Sequence, residues 1–427
     1  MTLVGGRWIA HHWLPSHDHL TVAGAGRRWV DEQWLAQWVM YELWNVGGYA
    51  LLAAAAAALI ASAFGILVLI LLERGAQPAR AVKWATLAFA VSLPDVAVRA
   101  QDFAYPLFAL LCGLLLREPA LRRRITVIAL LVLWANLHGS VLVGALLAAA
   151  AFARRPRQVL WAAAALASPL ATPYGLGVVH YYDSVLGNSS LQRFASEWKP
   201  ATATPIAAFG FFLLVLALAY VVVVGWRRGV RPPLSLAIAT LALVAAGFAE
   251  LRWETWAAFA GAIFATDMLN VYDPTPPRPA GRGLRLVAIA ATVATAAGVA
   301  VLATKPASRF EDTLPAPAMA AATQYLHGHP QARVLADDDT ADGLLWKEPP
   351  LAGRVAFDDR LEIYPARDVD RWADWITGKP SALGLSKGYD VLVGAASNAA
   401  LVRRIRSTAG WHVIYAGAAG AAAARTR

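Results

Sequence analysis

The sequence predicts an α-helical polytopic membrane protein of about ten spans, followed by a small C-terminal α/β domain. Three observations support this fold class. Hydrophobic residues make up 58% of the 427 residues and charged residues only 15%, with a mean hydropathy of +0.48, whereas a soluble domain averages roughly 45–50% apolar and about 25% charged residues. Apolar segments separated by arginine-rich turns occupy most of the chain. Beyond residue 303 the composition changes to that of a soluble domain.

The first segment, residues 1–45, is rich in tryptophan, histidine and charged residues, and it is not membrane-spanning. We expect it to form an extracytoplasmic loop ahead of the first apolar segment. No apolar signal precedes it to direct its export. Either the segment translocates unaided, or the natural chain begins with a further span that is missing here, and we expect the second.

Residues 46–303 form the predicted membrane domain. Several of its apolar segments are shorter than the ~20 residues that cross a typical hydrocarbon core. We expect these helices to extend into flanking polar residues or to pack inside the protein. The segments are 46–72, 84–98, 103–116, 125–137, 139–152, 159–172, 206–226, 234–249, 253–269 and 286–303.

The basic residues predict the orientation, because basic loops stay in the cytoplasm. With residues 1–45 outside, the outer loops hold only Arg99, Arg193, Lys199 and Arg252. The inner loops carry Arg74, Arg80, Lys83, Arg117, Arg122, Arg123, Arg124, Arg154, Arg155, Arg157, Arg227, Arg228, Arg231, Arg278, Arg282 and Arg285. We therefore expect a multi-pass plasma-membrane protein with an extracytoplasmic C-terminal domain. The net charge of +10 is explained by these short clusters and does not indicate a nucleic-acid partner.

The distal domain is predicted over residues 304–416. Short β-like runs, "ARVLAD", "GRVAFD", "YDVLVG" and "WHVIYA", alternate with helical stretches near 340–346, 369–376 and 398–407. This alternation favours a small α/β domain with a mostly parallel sheet. We expect the alanine-rich residues 417–427 to be disordered.

Unusual polar motifs collect at the outer turns. "NLHGS" interrupts an apolar run between residues 130 and 147, and the other outer turns contain "DVAVRAQDF", "TPYG", "SEWKP" and "AELRWE". The first loop adds "SHDHL" and "RRWVDEQWLAQ". The inner loops contain little besides arginine, proline and small residues. Nearly all the chemistry is therefore predicted on one face.

Ionisable groups at span ends are costly, so a convergent set of them indicates a site. Carboxylates can act as a general base or bind a divalent metal, and arginines suit phosphate. This combination at a bilayer surface fits an anionic lipid-phosphate substrate. The catalytic candidates are Asp18, Asp31, Glu32 and Asp102, of which Asp18 and Asp102 are the candidate metal ligands. The substrate-binding candidates are Arg99, Gln101, Asn136, His138, Tyr174, Glu197 and Arg252.

Each candidate also has a structural interpretation. Acids in loops are often ordinary surface residues or helix caps, as Asp18, Asp31 and Asp102 would be. His138 could be a hydrogen-bonding residue at a helix break, and Glu197 beside Trp198 an interfacial anchor. For the two arginines, the structural interpretation is an ion pair: Arg99 would pair with Asp102, and Arg252 would pair with Glu250 or Glu254.

With these motifs in order along residues 6–365, the chain resembles polytopic GT-C-type glycosyltransferases, the superfamily of protein mannosyltransferases and lipid-A aminoarabinose transferases. The match is closest to uncharacterised bacterial membrane proteins of that group. The stretches that carry it run from "GRWIAHHWLPSHDHL" to "GGYALL", then "VRAQDFAYPLFALL", "LWANLHGSVLVG", "TPYG", "SEWKP" and "GRVAFDDRLEIYP".

The resemblance implies a polyprenyl-phosphate-linked sugar donor and a glycan or protein acceptor outside the cytoplasm. It also implies an acid in the first outer loop, matched by Asp18 or the Asp31–Glu32 pair, and a second acid matched by Asp102. Relatives begin with a span and an acidic residue that this chain lacks. A non-catalytic scaffold for envelope polysaccharide assembly, or a transporter or flippase of lipid-linked precursors, is the alternative function.

Overall fold

The computed structural model describes residues 1–426 except 119, 187, 189, 192–195, 232, 273–300, 302–303, 305–310 and 312. It is mostly helical with one small mixed sheet. The chain divides into two compact units. Unit 1 comprises Met1–Asn45, Leu176–Phe194 and Lys305–Arg427, and unit 2 comprises Val46–Gly175 and Ala195–Thr304. Residues 176–194, which the sequence placed with the membrane domain, thus belong with the distal domain and the first loop.

Unit 1 surrounds a four-stranded sheet. Its helices are α1 (Thr2–His12), the first part of α2 (Trp34–Glu73), α8 (Gly177–Leu186), α12 (Ala316–Gly328), α13 (Asp338–Lys347), α14 (Ala366–Ile376) and α15 (Ala399–Ser407). Its strands are β1 (Val334–Leu335), β2 (Val391–Ala395), β3 (Trp411–Gly417) and β4 (Gly420–Arg425).

The sheet corrects two predictions. Its strand order is β1-β2-β4-β3, in which only β1 and β2 are parallel, so it is mixed rather than mostly parallel. The alanine-rich tail is not disordered, because β4 pairs with β2 on one side and β3 on the other. Ala421–Ala424 are fully buried there. Low-complexity composition suggested disorder, but methyl side chains fit the crowded centre of a sheet covered by helices.

The first loop extends the distal domain. The backbone N–H groups of Val22 and Ala23 donate to the carbonyls of Val355 and Ala356 at 2.8 and 3.0 Å, and Gly353 N–H donates to Leu20 at 2.8 Å. The "GRVAFD" run, expected to be a strand, makes only isolated bridges at Val355. These hydrogen bonds join segments more than three hundred residues apart in sequence into one unit.

Unit 2 is a helical bundle. Its helices are the second part of α2, α3 (Pro78–Ser92), α4 (Ala104–Leu115), α5 (Leu121–Ala135), α6 (Val141–Ala153), α7 (Val159–Ala167), α9 (Phe209–Arg227), α10 (Leu234–Ala249) and α11 (Glu254–Tyr272). Its core is an aromatic cluster in which Phe108 contacts Trp134, Trp256 and Phe259.

Two helices, α2 and α9, are long and apolar enough to cross a membrane. Non-helical backbone at Gly47 and Gly48 kinks α2, and Gly48 has a φ of +59°, which favours glycine. Shorter apolar helices cover Ala100–Leu115, Val141–Ala153 and Leu234–Ala249. The count of ten spans stays a prediction, and its last segment, 286–303, lies almost wholly outside the described residues.

Arginine-rich turns and polar motifs alternate at the helix ends of unit 2. Helix α4 begins after Asp102 and ends before Arg117, and α6 begins after Ser140 and ends before Arg154. Arginines from three different turns line a single pocket, which contains Arg74, Arg117, Arg123, Arg124, Arg154 and Arg155. The polar motifs therefore lie at the opposite ends of the same helices.

Candidate functional site

Asp18 lies in a buried ion-pair network of unit 1. Its carboxylate accepts hydrogen bonds from the backbone N–H groups of Leu20 and Thr21 at 3.0 and 3.2 Å, and from the Thr21 hydroxyl at 2.5 Å. Arg360 Nη2 donates to it at 2.6 Å. Only 1% of Asp18 is exposed. These contacts give Asp18 a structural role, and its catalytic role stays a prediction.

Arg360 joins Asp18 to Asp358. Its Nε donates to the two Asp358 oxygens at 3.1 and 2.9 Å, and Nη2 donates at 2.6 Å. The guanidinium carbon lies 4.0 Å from the ring centroid of Trp29. The Tyr364 hydroxyl donates to Asp358 at 2.8 Å. A buried cation held between two carboxylates thus links the first loop to the distal domain.

Asp31 and Glu32 are buried immediately before α2. Asp31 Oδ1 accepts hydrogen bonds from Gln33 N–H at 3.3 Å and Gln37 Nε2 at 3.1 Å. Its Oδ2 is buried without a hydrogen-bond partner in the part of the chain that the structure describes. Burial raises the pKa of Asp31 to about 7. Burial, with the nearby charges of Glu362 and Asp31, raises the pKa of Glu32 well above its ordinary value.

This environment predicts a pH-dependent stability gain for Asp31→Asn. The folded state holds the Asp31 proton up to about pH 7, whereas the unfolded chain releases it near pH 4. Asp31 therefore destabilises the fold progressively between these values, by roughly 4 kcal/mol above pH 7. We expect Asp31→Asn to raise the melting temperature at pH 8 and to leave it nearly unchanged at pH 4.

The matched control is Asp183→Asn, which removes an exposed acid of α8. Thermal unfolding of the full chain in detergent at both pH values measures the difference. A gain of equal size at pH 4 and pH 8 would contradict the raised pKa of Asp31.

An open cleft lies beside these buried carboxyl groups. The basic side chains of Arg27, Arg28 and His180 line it, together with Tyr181. The Tyr181 hydroxyl donates a hydrogen bond to Glu32. The cleft therefore brings two exposed arginines of the first loop and the His180 imidazole of α8 close to the acidic pair.

Glu362 also lines this cleft and is half-buried. Burial raises its pKa to about 7, although Arg360 acts in the opposite direction. A carboxyl group of this kind changes its protonation state near neutrality and is partly accessible. These are the properties required of a general base.

Arg99, in unit 2, is held by two carboxylates. Its Nη2 donates to Asp95 at 2.8 Å and its Nη1 to Glu197 at 2.7 Å. The Thr255 hydroxyl donates to the other oxygen of Asp95 at 2.7 Å. Arg99 and Asp95 therefore connect three segments of unit 2. The Arg99 guanidinium does not pair with Asp102, as the structural interpretation of the sequence suggested.

Asp102 caps the short helical turn Ala100–Phe103, which leads into α4. Its Oδ2 accepts a hydrogen bond from the Arg99 backbone N–H at 3.2 Å. Its Oδ1 is buried without a hydrogen-bond partner among the described residues. The neighbouring candidate Gln101 is also buried. The described residues contain no group of three or more His, Cys, Asp or Glu that could hold a metal ion. Asp18 and Asp102, the candidate ligands, belong to different units.

Asn136 and His138 lie in the break between α5 and α6, as "NLHGS" predicted. Asn136 Nδ2 donates to the carbonyls of Val132 and Ala171 at 2.8 and 2.9 Å. His138 Nδ1 accepts from the Ser140 backbone N–H at 3.1 Å and lies 2.9 Å from its hydroxyl oxygen. In this geometry both side chains stabilise the break. Tyr174 is half-buried in the "TPYG" turn that Asn136 contacts through Ala171.

Arg252 stacks on Trp198. The guanidinium carbon lies 4.0 Å from the indole centroid, a favourable cation–π geometry. Glu250 accepts a hydrogen bond from Trp253 Nε1 at 3.1 Å instead of pairing with Arg252. Both carboxyl oxygens of Glu254 are buried without a hydrogen-bond partner among the described residues.

The sequence analysis did not select four residues that line the cleft: Arg27, Arg28, His180 and Glu362. One signal was available, because the arginine doublet precedes the Asp31–Glu32 pair by only a few residues. Glu362 and His180 could not be predicted as cleft residues from the sequence, because they are far from the first loop in the chain and only folding brings them to it.

Comparisons with known proteins add no family assignment. No protein-family model matches the chain, and no curated protein is significantly similar to it.

Proposed function

We propose that this chain is a multi-pass membrane glycosyltransferase of the GT-C type, which transfers a sugar from a polyprenyl-phosphate-linked donor to an extracytoplasmic acceptor. The observation that carries the proposal is the cleft of unit 1, where Glu362, with a pKa of about 7, lies among Arg27, Arg28 and His180. A general base works best with a pKa near the working pH. Arginines bind phosphate through their planar guanidinium groups.

In the proposed reaction, the Glu362 carboxylate accepts the proton of the acceptor hydroxyl. The hydroxyl oxygen then forms a bond to the anomeric carbon of the sugar, while the bond from that carbon to the donor phosphate oxygen breaks. The electron pair leaves with the phosphate, and Arg27 and Arg28 stabilise the charge that develops there. This single displacement inverts the anomeric configuration. Glu32, which accepts a hydrogen bond from Tyr181, lies close enough for the charge of Glu362 to raise its pKa.

Within unit 2, Arg252 is a separate cation suited to an anionic group. Arg252 lies on Trp198 and makes no ion pair with a carboxylate of the described residues. A guanidinium fixed on a ring, without an anionic partner, can bind an anionic group with little loss of side-chain entropy. Arg99, in contrast, is already neutralised by Asp95 and Glu197, so we assign it a positioning role.

The test is sugar transfer in membranes that contain the full chain. Membranes with the protein, given labelled polyprenyl-phosphate sugars and total envelope acceptors, should form a labelled product that is absent from membranes without it. No product above this background from any such donor would contradict the proposal and favour a scaffold role. Accumulation of intact donor across the membrane, without transfer, would favour a transporter or flippase.

We also propose a plasma-membrane location, with the arginine-rich turns in the cytoplasm. The support is the pocket that joins arginines of three turns at one set of helix ends. In a Cys112→Ala background, a membrane-impermeant thiol reagent applied from outside should label Asn188→Cys and leave Arg123→Cys unmodified. Labelling at position 123 but not at position 188 would reverse the proposed orientation.

A further inference from the structure

An apolar groove in unit 2 adjoins the pocket of arginines. We call it the lipid groove, and it lies between α4, α6, α10 and α11, with a volume of about 330 Å³. Phe108 and Cys112 of α4 face Leu147 of α6, while Leu243 and Ile263 come from α10 and α11. Apart from Arg154 and Ser235, the side chains that line the groove are apolar or, at Cys112, a thiol. A groove of this composition suits a hydrocarbon chain.

The groove is continuous with the pocket at its polar end. Leu115, Leu116, Arg154 and Ser235 line both. The Arg154 Nη1 donates to the Ser235 hydroxyl at 2.9 Å, which fixes the guanidinium at the mouth of the groove. Arg154 makes no ion pair with a carboxylate of the described residues. The Arg154 guanidinium therefore lies at the polar end of the lipid groove.

The pocket keeps an excess of positive charge. Six arginines line it, but only two carboxylates, Asp267 and Glu118, do so. Asp267 pairs with Arg74, Glu118 pairs with Arg155 at 3.2 Å, and Arg117 pairs with Glu73, which lies outside the lining. Arg123, Arg124 and Arg154 account for the remaining positive charge. Arg124 lies 5.3 Å from the ring centroid of Trp161 and has no carboxylate partner among the described residues. The pocket is thus complementary to an anionic group beside the end of an apolar chain.

We propose that this site binds an anionic glycerophospholipid of the surrounding bilayer, with an acyl chain in the lipid groove and the phosphate at Arg154. The chain leaves water for apolar side chains, and the phosphate accepts charge-assisted hydrogen bonds from the guanidinium. Basic pockets between membrane helices bind anionic headgroups in this way. The site lies at the opposite helix ends from the polar motifs, and it does not depend on the proposed transferase activity.

Titration of the purified full chain with phosphatidylglycerol in detergent, with bound lipid counted by native mass spectrometry, tests this proposal. We expect phosphatidylglycerol to bind at least tenfold more tightly than phosphatidylcholine. Arg154→Gln should weaken the binding of phosphatidylglycerol about tenfold or more. The matched control is Arg157→Gln, which removes an exposed arginine from the same turn but outside the pocket, and it should change the affinity less than twofold.

A second variant separates the contribution of the acyl chain to binding from that of the headgroup. Ala150→Trp places a large ring in the lipid groove at an exposed position, so folding is preserved while the acyl chain is excluded. It should abolish phosphatidylglycerol binding. Equal binding of the two lipids, equal affinity in Arg154→Gln and Arg157→Gln, or glycerol phosphate binding as tightly as the lipid would each overturn the proposal.

Discussion

Arg360→Met is expected to destabilise unit 1 by about 3–5 kcal/mol, because it leaves buried carboxylates without their counter-ion. Asp18 and Asp358 both lose the guanidinium, and both have fully buried side chains. Methionine keeps much of the apolar stem, so lost packing contributes little. The free energy of unfolding, measured by chemical denaturation of the full chain in detergent at pH 7, gives the size of the effect.

The matched control is Arg367→Met, which removes an arginine with an 84% exposed side chain and should change the stability by less than about 0.5 kcal/mol. Adding Asp18→Asn and Asp358→Asn to Arg360→Met should restore part of the lost stability, because no uncompensated charge then remains buried. If Arg360→Met were as stable as Arg367→Met, the ion-pair network would not hold the first loop to the distal domain.

Glu362→Gln is expected to lower sugar transfer by roughly 10²–10⁴-fold, the usual contribution of a general base. Glutamine preserves the shape and can still hydrogen-bond, but it cannot take the acceptor proton. The fall should appear in kcat rather than in KM, since the amide still fits the cleft. Initial rates of product formation from the labelled donor, measured in membranes at saturating donor, test the expected loss.

The pH profile of the unmodified chain provides an independent readout. Because burial raises the pKa of Glu362 to about 7, the base is protonated and inactive at pH 5.5. Its active, ionised form accumulates as the pH rises through 7. We expect kcat/KM to rise about tenfold per pH unit below pH 7 and to level off near pH 8.

Glu362→Gln should lose this dependence together with the activity, while Asp183→Asn should keep both. Normal transfer by Glu362→Gln would remove Glu362 from the mechanism. In that case Asp31→Asn and Glu32→Gln, measured in the same assay, would show whether another member of the acidic group is the base.

Local sequence patterns predicted several elements directly. The helical stretches near 340–346, 369–376 and 398–407 correspond to α13, α14 and α15, and "YDVLVG" and "WHVIYA" to β2 and β3. The break at "NLHGS" separates α5 from α6. Each of these depends on residues close together in the chain, where periodicity and turn residues act.

Strand order could not be predicted in the same way. Alternating strands and helices favoured parallel pairing, but β4 returns directly after β3 and inserts beside β2. A short turn between β3 and β4 forces antiparallel pairing. The alanines of β4 carry no amphipathic pattern, and only the helices and strands around them show why small side chains are suited to that position.

The sequence alone determined the composition of the chain, its alternation of apolar segments with arginine-rich turns, and the acidic and basic motifs that separate them. Only the tertiary structure decided what each charged group does. Arg360 neutralises Asp18, whereas Glu362 keeps a half-buried place in a cleft beside Arg28. The reason is that burial and partners set the protonation and availability of a carboxyl group, and these partners come from segments far apart in sequence.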